Sequence, residues 1–437
     1  MPLLDRPMSP ETKEVFEKAH EVWNPNRIEF FEHYGAHIVM GERSGSRFKD
    51  LDGYTYINMH SNGGVFNLGH KNPEVAQALK DAVDKVDAGN HYFPSPYKNA
   101  FCEELLKVSP DNMRYVVPLN TGSESIDAAI KFARFATKRK RVVSVKNAFH
   151  GATGASMQAG NPKLGAYFNM TPDEKYYTHI PYNDLKALKK VLKKGDTAAV
   201  VLETLPATAG FPIPDEGYHK GVEELCHKYG ALYIADEVQC GLMRSGKMWC
   251  VQQFGAKPDM IVTAKGLSGG YYPMAAVIMD DAAAAWMKDD GFAHTTSFNG
   301  CEVGCITALK VLEILQRPET KKNVDMLTDF FAEELPKVQA KHPYFFTGIR
   351  QVGVIMGLET CFSKGAYPLM FAMIKNGVWC VAADFDKSVL QFKPNLLMDL
   401  DTAKEVIEIL DKSCDDAWDM IPKKYQIVLK AKSKLGK

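Results

Sequence analysis

The chain alternates between short apolar runs and amphipathic helical segments over roughly residues 115–280. The apolar runs have the length and composition of strands that are buried on both faces. Such alternation is typical of an α/β domain in which helices flank a mainly parallel sheet. The candidate strands are residues 141–146, 198–205, 231–238, 260–263 and 274–279.

A second, smaller domain is expected because 437 residues exceed the usual size of one hydrophobic core. We predict an N-terminal arm over 1–60 that is part of the small domain, a large α/β domain over 61–300 and a C-terminal α+β domain over 301–437. No repeat or linker separates these parts. After residue 300 the helical patterns cover 303–316, 320–341 and 402–418.

Charge and cysteine usage exclude several classes of function. The 53 basic and 53 acidic residues leave no net charge, so neither nucleic acid nor an anionic membrane is an expected partner. No apolar run approaches the roughly 20 residues that span a bilayer, and residues 1–10 lack a signal peptide's apolar core, so we expect a cytoplasmic protein. Nine scattered cysteines without a CxxC pair, and no His-Glu-x-x-His motif, predict no metal site and no disulfide framework.

Asp236 closes a predicted strand, and Lys265 lies just after another. A lone lysine after a strand is usually solvated, but Asp236 follows a continuous apolar run, and a buried carboxylate needs a partner. A lysine at the end of a buried strand can form a Schiff base with an aldehyde, and a neighbouring aspartate can keep a pyridine nitrogen protonated. The pair therefore predicts pyridoxal phosphate chemistry.

Three further segments carry side chains or backbone groups suited to such a cofactor. Residues 120–125 (Asn-Thr-Gly-Ser-Glu-Ser) begin a predicted helix and offer N–H groups to a phosphate, although a plain capping box at Ser123 explains them equally well. The run 149–151 (Phe-His-Gly) could stack an aromatic ring on a planar ligand, although Phe is usually a core residue. Residues 294–300 cluster hydroxyls that could donate to a phosphate.

The ordered set of motifs resembles the class III pyridoxal phosphate-dependent aminotransferases, which include ornithine, 4-aminobutyrate and related ω-aminotransferases and glutamate-1-semialdehyde aminomutase. The matching run extends from an early Gly-His-x-x-Pro segment at 69–73 to Thr-Ser-Phe at 296–298. The matching motifs between these ends are residues 120–124, 149–151, Glu203, 236–239 and 265–266.

The resemblance implies a fold-type I homodimer that acts on small-molecule amine and keto substrates with pyridoxal 5'-phosphate as cofactor. Lys265 would be the Schiff-base lysine and proton carrier, and Asp236 the partner of the pyridine nitrogen. The remaining cofactor-binding residues that it implies are Gly122 and Ser123 for the phosphate, Phe149 and Val238 on the two ring faces, His150, Gln239 for the phenolic oxygen, Glu203 beside the cofactor, and Thr296 and Ser297 from the second subunit.

The chain departs from the family where many members bind a substrate carboxylate. A glutamate that pairs with a substrate-binding arginine is replaced by Thr208, and that arginine is replaced by Gln391. Lys393 could compensate, but we expect it to point away from the face of Gln391. We therefore expect an amine that lacks the usual carboxylate clamp, such as an amino sugar.

These residues predict an aminotransferase with a ping-pong mechanism, and a racemase, epimerase or aminomutase of the same family is the alternative. His60, Asn62 and Tyr92 could line the substrate pocket or be structural. Two interpretations from other classes are weaker. The run 241–247 fits a P-loop skeleton, but Met248 replaces the magnesium-binding hydroxyl. The basic segment 186–194 and the lysine-rich tail after Lys423 could mark an interaction protein, although solvated faces explain them more simply.

Overall fold

A computed structural model of the chain describes residues 6–434, and the predictions that concern residues 1–5 and 435–437 lie outside the described residues. The helices are α1 (Pro10–Val22), α2 (Pro25–Tyr34), α3 (Ser61–Gly64), α4 (Pro73–Val83), α5 (Pro96–Lys107), α6 (Gly122–Thr137), α7 (Gly154–Ala159), α8 (Pro162–Tyr167), α9 (Leu185–Leu192), α10 (Tyr218–Tyr229), α11 (Trp286–Asp289), α12 (Glu302–Gln316), α13 (Pro318–Lys341), α14 (Ala366–Lys375), α15 (Leu400–Asp419) and α16 (Lys423–Lys434). The strands are β1 (Met40–Ser44), β2 (Arg47–Asp50), β3 (Thr55–Asn58), β4 (Tyr115–Leu119), β5 (Arg141–Val145), β6 (Tyr177–Ile180), β7 (Thr197–Glu203), β8 (Leu232–Asp236), β9 (Met260–Thr263), β10 (Ala275–Met279), β11 (Phe346–Val352), β12 (Ile355–Thr360), β13 (Val378–Trp379), β14 (Val381–Ala382) and β15 (Val389–Phe392).

The larger compact unit comprises residues 62–68 and 72–324 and contains a mixed sheet. Within the described residues its strand order is β4-β10-β9-β8-β7-β5-β6, and the five strands β5 to β9 run parallel to one another. Strand β10 is antiparallel to both β9 and β4. Strands β7 and β8 are buried along their whole length, as their continuous apolar sequences require. The prediction of an α/β domain with a mainly parallel sheet is confirmed.

Two strands of this sheet are missing from the predicted set, and both lie at its edges. Strand β4 contains Pro118, which cannot donate a ladder hydrogen bond and is tolerated only where one side of the strand is unpaired. Strand β6 is only four residues long and has polar residues at its centre. Short or proline-containing edge strands give a weak apolar pattern, so the sequence did not reveal them.

The smaller unit comprises residues 6–61, 69–71 and 325–434 of the described chain. It holds two sheets, with strand orders β1-β2-β3-β13 and β11-β12-β15-β14. Strand β13 pairs in parallel with β3, so the N-terminal segment and the C-terminal part of the chain share one sheet. The last segment of this unit starts at residue 325, and α12 packs against α4 and α5 of the larger unit.

The prediction for Lys393 is wrong. Side chains two positions apart along a strand lie on the same face, so Lys393, just past the end of β15, lies on the side of Gln391. Lys393 Nζ donates a hydrogen bond of 2.7 Å to Gln391 Oε1, and both side chains are buried. A buried lysine therefore accompanies Gln391.

The structure also bears on the two weaker interpretations. A P-loop is followed by an α-helix, but here a 3₁₀-helix at Cys250–Phe254 follows Lys247. In the basic segment, α9 buries Leu188, Val191 and Leu192 on one face, as a solvated amphipathic helix does. None of the helices among the described residues combines the length and apolarity that crossing a bilayer needs.

Candidate active site

The carboxyl ends of β8 and β9 bring Asp236 and Lys265 to the same edge of the large sheet. Asp236 is the last residue of β8 and pairs with Val262 of β9. Lys265 follows β9 and opens a short 3₁₀-helix at Lys265–Ser268. Because parallel strands place their carboxyl ends together, two residues 29 positions apart meet at one site.

The Asp236 carboxylate is buried and held by two donors. His150 Nδ1 lies 2.7 Å from Asp236 Oδ2, and the Val238 N–H donates to Oδ1 at 3.1 Å. A carboxylate oxygen accepts hydrogen bonds, and the Nδ1–H tautomer of His150 donates to it. His150 Nε2 lies 3.1 Å from Ser144 Oγ, and the hydroxyl completes a chain of three side chains. This chain fixes the orientation of the carboxylate.

Glu203, at the end of β7, is a second buried carboxyl group at this edge. Its two oxygens accept hydrogen bonds from the Phe149 N–H at 3.0 Å and the Ala207 N–H at 3.2 Å. Burial raises the pKa of Glu203, and the negative charge of Asp236 adds to the rise, while His150 opposes it. Glu203 therefore fixes the backbone at Phe149 rather than serving as an exposed acid.

Lys265 has a strained backbone conformation and a lowered side-chain pKa. Its φ of 43° is in the left-handed region, which costs a residue with a side chain about 1–2 kcal/mol. Burial lowers the pKa of the Lys265 ammonium, while the charges of Asp236 and Glu203 oppose the shift. The net shift favours a neutral amine, which is the form that attacks a carbonyl carbon.

The N-terminus of α6 supplies backbone donors, and its cap differs from the one predicted. Thr121, not Ser123, is the N-cap, because Thr121 Oγ1 accepts from the Glu124 N–H at 3.2 Å. Ser123 Oγ instead accepts from the Ala152 N–H at 3.2 Å. Gly122 and Ser123 are thus in the first turn, where N–H groups have no partner within the helix.

Two glycines allow the close packing around this helix end. A Cβ on Gly122 would lie 3.2 Å from a methyl group of Val238, and a Cβ on Gly151 would lie 2.5 Å from Ser123 Oγ. Gly151 also has a φ of 139°, a conformation that residues with side chains avoid. The glycine of the Phe-His-Gly motif is therefore required where that loop crosses the start of α6.

One cavity of about 400 Å³ contains most of the predicted site. Thr296 and Ser297 are not among its lining residues, nor are His60, Asn62 and Tyr92. Thr296 is half-buried and Ser297 is exposed. The predicted residues that the cavity brings together are Gly122, Ser123, Phe149, His150, Glu203, Asp236, Val238, Gln239 and Lys265.

Sequence reasoning missed part of the cavity wall. Val65, Tyr271 and Met274 line the cavity, but none belongs to a motif with a chemical role. Tyr271 directly follows the glycine pair after Lys265, and this neighbourhood was the only sequence signal that could have pointed to it. Val65 comes from a segment 200 residues away from Lys265, which only the folded chain brings near.

Thr208, the residue at the position of the missing glutamate, is buried in the larger unit. Its Oγ1 lies 3.5 Å from the Asn147 carbonyl oxygen, to which the hydroxyl donates. A glutamate at this position would bring a charge beside a carbonyl oxygen and would need a cation as partner. The neutral threonine fits the surroundings that the described residues provide.

Comparison with known proteins identifies the family. The family model for class III aminotransferases matches residues 31–414. The chain belongs to the class III aminotransferases. An uncharacterised aminotransferase of Archaeoglobus fulgidus is 38% identical over 91% of this chain and 92% of its own length. Ornithine aminotransferase 2 of Staphylococcus aureus (strain MRSA252) is 30% identical over 87% of this chain and 97% of its own length.

A solved structure of ornithine aminotransferase from Toxoplasma gondii, described as showing partial occupancy of PLP at its active site, matches with a TM-score of 0.80. It is 22% identical and the match covers 94% of this chain and 98% of that chain, so it shows the shared fold. The fold-type I prediction, the transaminase prediction and the pyridoxal phosphate prediction are confirmed.

The residues of this class III aminotransferase fit pyridoxal phosphate. The cavity has a volume in the range of small-molecule sites, and a buried carboxylate and a lysine with a lowered pKa both line it. The first turn of α6 adds N–H donors suited to a phosphate group. Among the described residues, no cluster of three or more His, Cys, Asp or Glu side chains is placed to hold a metal ion.

Proposed function

We propose that this aminotransferase transfers an amino group from a primary amine or amino acid to a keto acceptor by a ping-pong mechanism. The observation that carries the proposal is the placement of Lys265 and Asp236 in one cavity, with the lysine pKa lowered by burial. Pyridoxal phosphate, when bound, supplies an electron sink that makes the α-hydrogen of the substrate amine acidic. The protein must then hold the substrate and move that proton.

Lys265 is the residue that we propose moves the proton. Its neutral amine can accept the α-proton of the substrate and return it to a neighbouring carbon. The lowered pKa lies closer to the working pH, so that neither uptake nor release of the proton is strongly unfavourable. Its backbone strain, at a φ of 43°, is typical of residues held in place for function.

Asp236 is proposed to hold a protonated ring nitrogen in place. The hydrogen bond from His150 and the N–H of Val238 prevent rotation of the carboxylate, so its negative charge has a fixed direction. The N–H groups of Gly122 and Ser123 would bind the phosphate, and Phe149 and Val238 would contact the two faces of the ring. Gln239 would donate to the phenolic oxygen, as the family resemblance implies.

For the substrate we propose an amine without the carboxylate that most relatives clamp. Among the described residues that line the cavity, Lys265 is the only lysine and there is no arginine. Thr208 carries no charge to balance a guanidinium group. Polar uncharged groups, among them Asn120, Ser268 and Tyr271, line the same cavity and suit hydroxyl-bearing substrates such as amino sugars.

Homodimerisation is also part of the proposal. Tyr92, Phe93, Phe292 and Phe298 are exposed in the larger unit, and the rings of Tyr92 and Phe292 lie 6.4 Å apart. The enclosed atoms His294 Nε2, Thr296 Oγ1 and Asn299 Oδ1 have no hydrogen-bond partner among the described residues.

Exposed aromatic rings beside unsatisfied polar atoms are typical of a surface that another chain covers, and they support a phosphate contact from Thr296 and Ser297 of a second subunit. Sedimentation of wild-type protein and of the Phe298→Asp variant tests this, and a monomeric wild-type enzyme with full activity would overturn it.

The test of the function is a single-turnover experiment with amines and no keto acid. A transaminase releases one carbonyl product per bound cofactor and then stops, and an added keto acid restores turnover. The panel pairs each amino acid with the amine that lacks its carboxylate, so that the two differ in one group. A carbonyl burst with the uncharged member of a pair supports the substrate proposal. Exchange of the α-hydrogen with deuterated solvent without any carbonyl product would instead identify the racemase or epimerase alternative.

A further inference from the structure

The segment 62–68, called here the glycine loop, lies directly against Lys265, and its first three residues end the short α3, in which Asn62 and Gly63 depart from helical geometry. A Cβ on Gly63 would lie 3.3 Å from Lys265 Cε and 3.4 Å from Gln239 Oε1, so the backbone of the loop contacts both side chains. Asn62, Gly63 and Gly64 have φ values of 49°, 69° and 101°. The Asn62 conformation is unfavourable by itself, and such a loop persists only where its surroundings hold it.

The glycine loop also packs on the residue that follows the lysine. A Cβ on Gly266 would lie 3.1 Å from both Asn67 Cβ and the Gly64 carbonyl oxygen. The loop therefore contacts Lys265 through its side chain and again through the next peptide. A displacement of the loop would change the position of the lysine amine.

Arg244 holds the other side of the glycine loop. The side chain is fully buried, and its Nη2 donates a hydrogen bond of 2.6 Å to Asn67 Oδ1. Asn67 Nδ2 in turn donates to the Leu242 carbonyl oxygen at 2.9 Å. Arg244 Nε lies 3.4 Å from the position of a Cβ on Gly64. The guanidinium group is thus packed against the same two glycine-loop residues that border Gly266.

The backbone before Arg244 is strained as well. Leu242 and Met243 have φ values of 57° and 68°, although neither is glycine. Left-handed backbone is unfavourable for any residue that has a side chain. The strained turn directs the Arg244 side chain into the interior. Arg244 follows Asp236 and Gln239 by a few residues, so one segment of the chain supplies the Asp236 carboxylate and the arginine that contacts the glycine loop. Backbone strain of this kind clusters at functional sites.

We propose that Arg244 is a positioning residue for Lys265. Through Asn67 and Gly64 it holds the glycine loop against the lysine side chain and the Gln239 amide, and thereby sets where the amine lies. This inference rests on the proposed role of Lys265. A charged donor with a planar fork suits the task, because its hydrogen bond to an amide oxygen is stronger than a neutral one and has a fixed direction.

The test uses Arg244→Lys and Arg244→Gln in the full-length protein loaded with pyridoxal phosphate. A looser glycine loop should move the apparent pKa of the visible absorbance band of the bound cofactor by about one unit. The rate of the amine half-reaction should fall by about tenfold or more at saturating amine, with a smaller change in KM. The band pKa and the half-reaction rate of Arg244→Lys should lie between those of wild type and Arg244→Gln, because lysine keeps the positive charge but lacks the planar guanidinium group.

Two further variants keep the test decisive if an arginine variant does not fold. Gly63→Ala perturbs the loop from the other side and should shift the same band. Arg317→Gln is the control, since Arg317 forms exposed ion pairs with Glu74 and Glu313 and does not contact the loop. Arg317→Gln should leave the pKa of the band and the half-reaction rate unchanged.

Two outcomes separate this inference from the function on which it rests. A lower melting temperature for the Arg244 and Gly63 variants, with the wild-type pH profile and rate retained, would overturn the positioning role and leave a purely structural one. If the Lys265→Met variant keeps the absorbance band and the half-reaction, the proposed function itself fails.

Discussion

Replacement of Gly151 by alanine should damage the phosphate end of the site more than any ordinary glycine substitution. The added Cβ would lie 2.5 Å from Ser123 Oγ, 2.7 Å from its Cβ and 2.8 Å from its Cα, so rotation of the serine side chain cannot relieve the clash. The φ of 139° adds backbone strain of about 1–3 kcal/mol, and overpacking adds about 1–3 kcal/mol. The expected loss is roughly 2–6 kcal/mol in the free energy of unfolding, by summing these two costs.

The assay is urea denaturation of the Gly151→Ala variant together with a titration of cofactor affinity. Gly195→Ala is the matched control, because Gly195 has a φ of 74° and no atom within 4 Å of an added Cβ. That variant should lose only the strain cost of about 1–2 kcal/mol. Displacement of the start of α6 should also weaken cofactor binding by about tenfold or more in Gly151→Ala alone. Equal losses in the two variants would refute the reasoning from the clash.

Three other substitutions have expected outcomes. Burial lowers the pKa of Lys265, so below pH 10.5 the unfolded chain binds a proton that the folded chain has released, and the free energy of unfolding rises as the pH increases toward 10.5. The Lys265→Met variant should lack that rise in urea denaturation measured over a series of pH values. Burial raises the pKa of Glu237 to about 7, so its contribution to stability is lost as pH rises from 4.5 through about 7, and Glu237→Gln should flatten denaturation midpoints over that range. Asp236→Asn should slow the amine half-reaction by about 10²–10⁴-fold in stopped-flow measurements, because it removes the charge that holds the ring nitrogen protonated.

The inner strands and the residues at their ends could be predicted from the sequence because their signal is local. Strand β9 has the predicted bounds, and β5, β7, β8 and β10 are shifted from prediction by at most two residues at either end. Their apolar runs also fixed where Asp236 and Lys265 would meet. Edge strands gave no such signal, since β4 contains a proline and β6 is short and partly polar.

Contacts that depend on backbone geometry outside regular elements could not be predicted. The direction of Lys393 is an exception, because side chains two positions apart along a strand share a face, as those of Gln391 and Lys393 do. The hydrogen bond from the Ala152 N–H to Ser123 Oγ and the one between His150 and Asp236 join separate segments of the chain. The glycine loop lies about 200 residues before Lys265, and no periodicity in the sequence connects them.

The most direct test of the account is to find which residue bonds to pyridoxal phosphate. The purified enzyme is loaded with cofactor, reduced with borohydride so that a carbon–nitrogen double bond becomes a stable single bond, digested and mapped by mass spectrometry. The account predicts one modified peptide, with the cofactor on Lys265, and no modification in Lys265→Met. A cofactor attached to another lysine, or to none, would contradict the assignment of Lys265 and of the cavity around it.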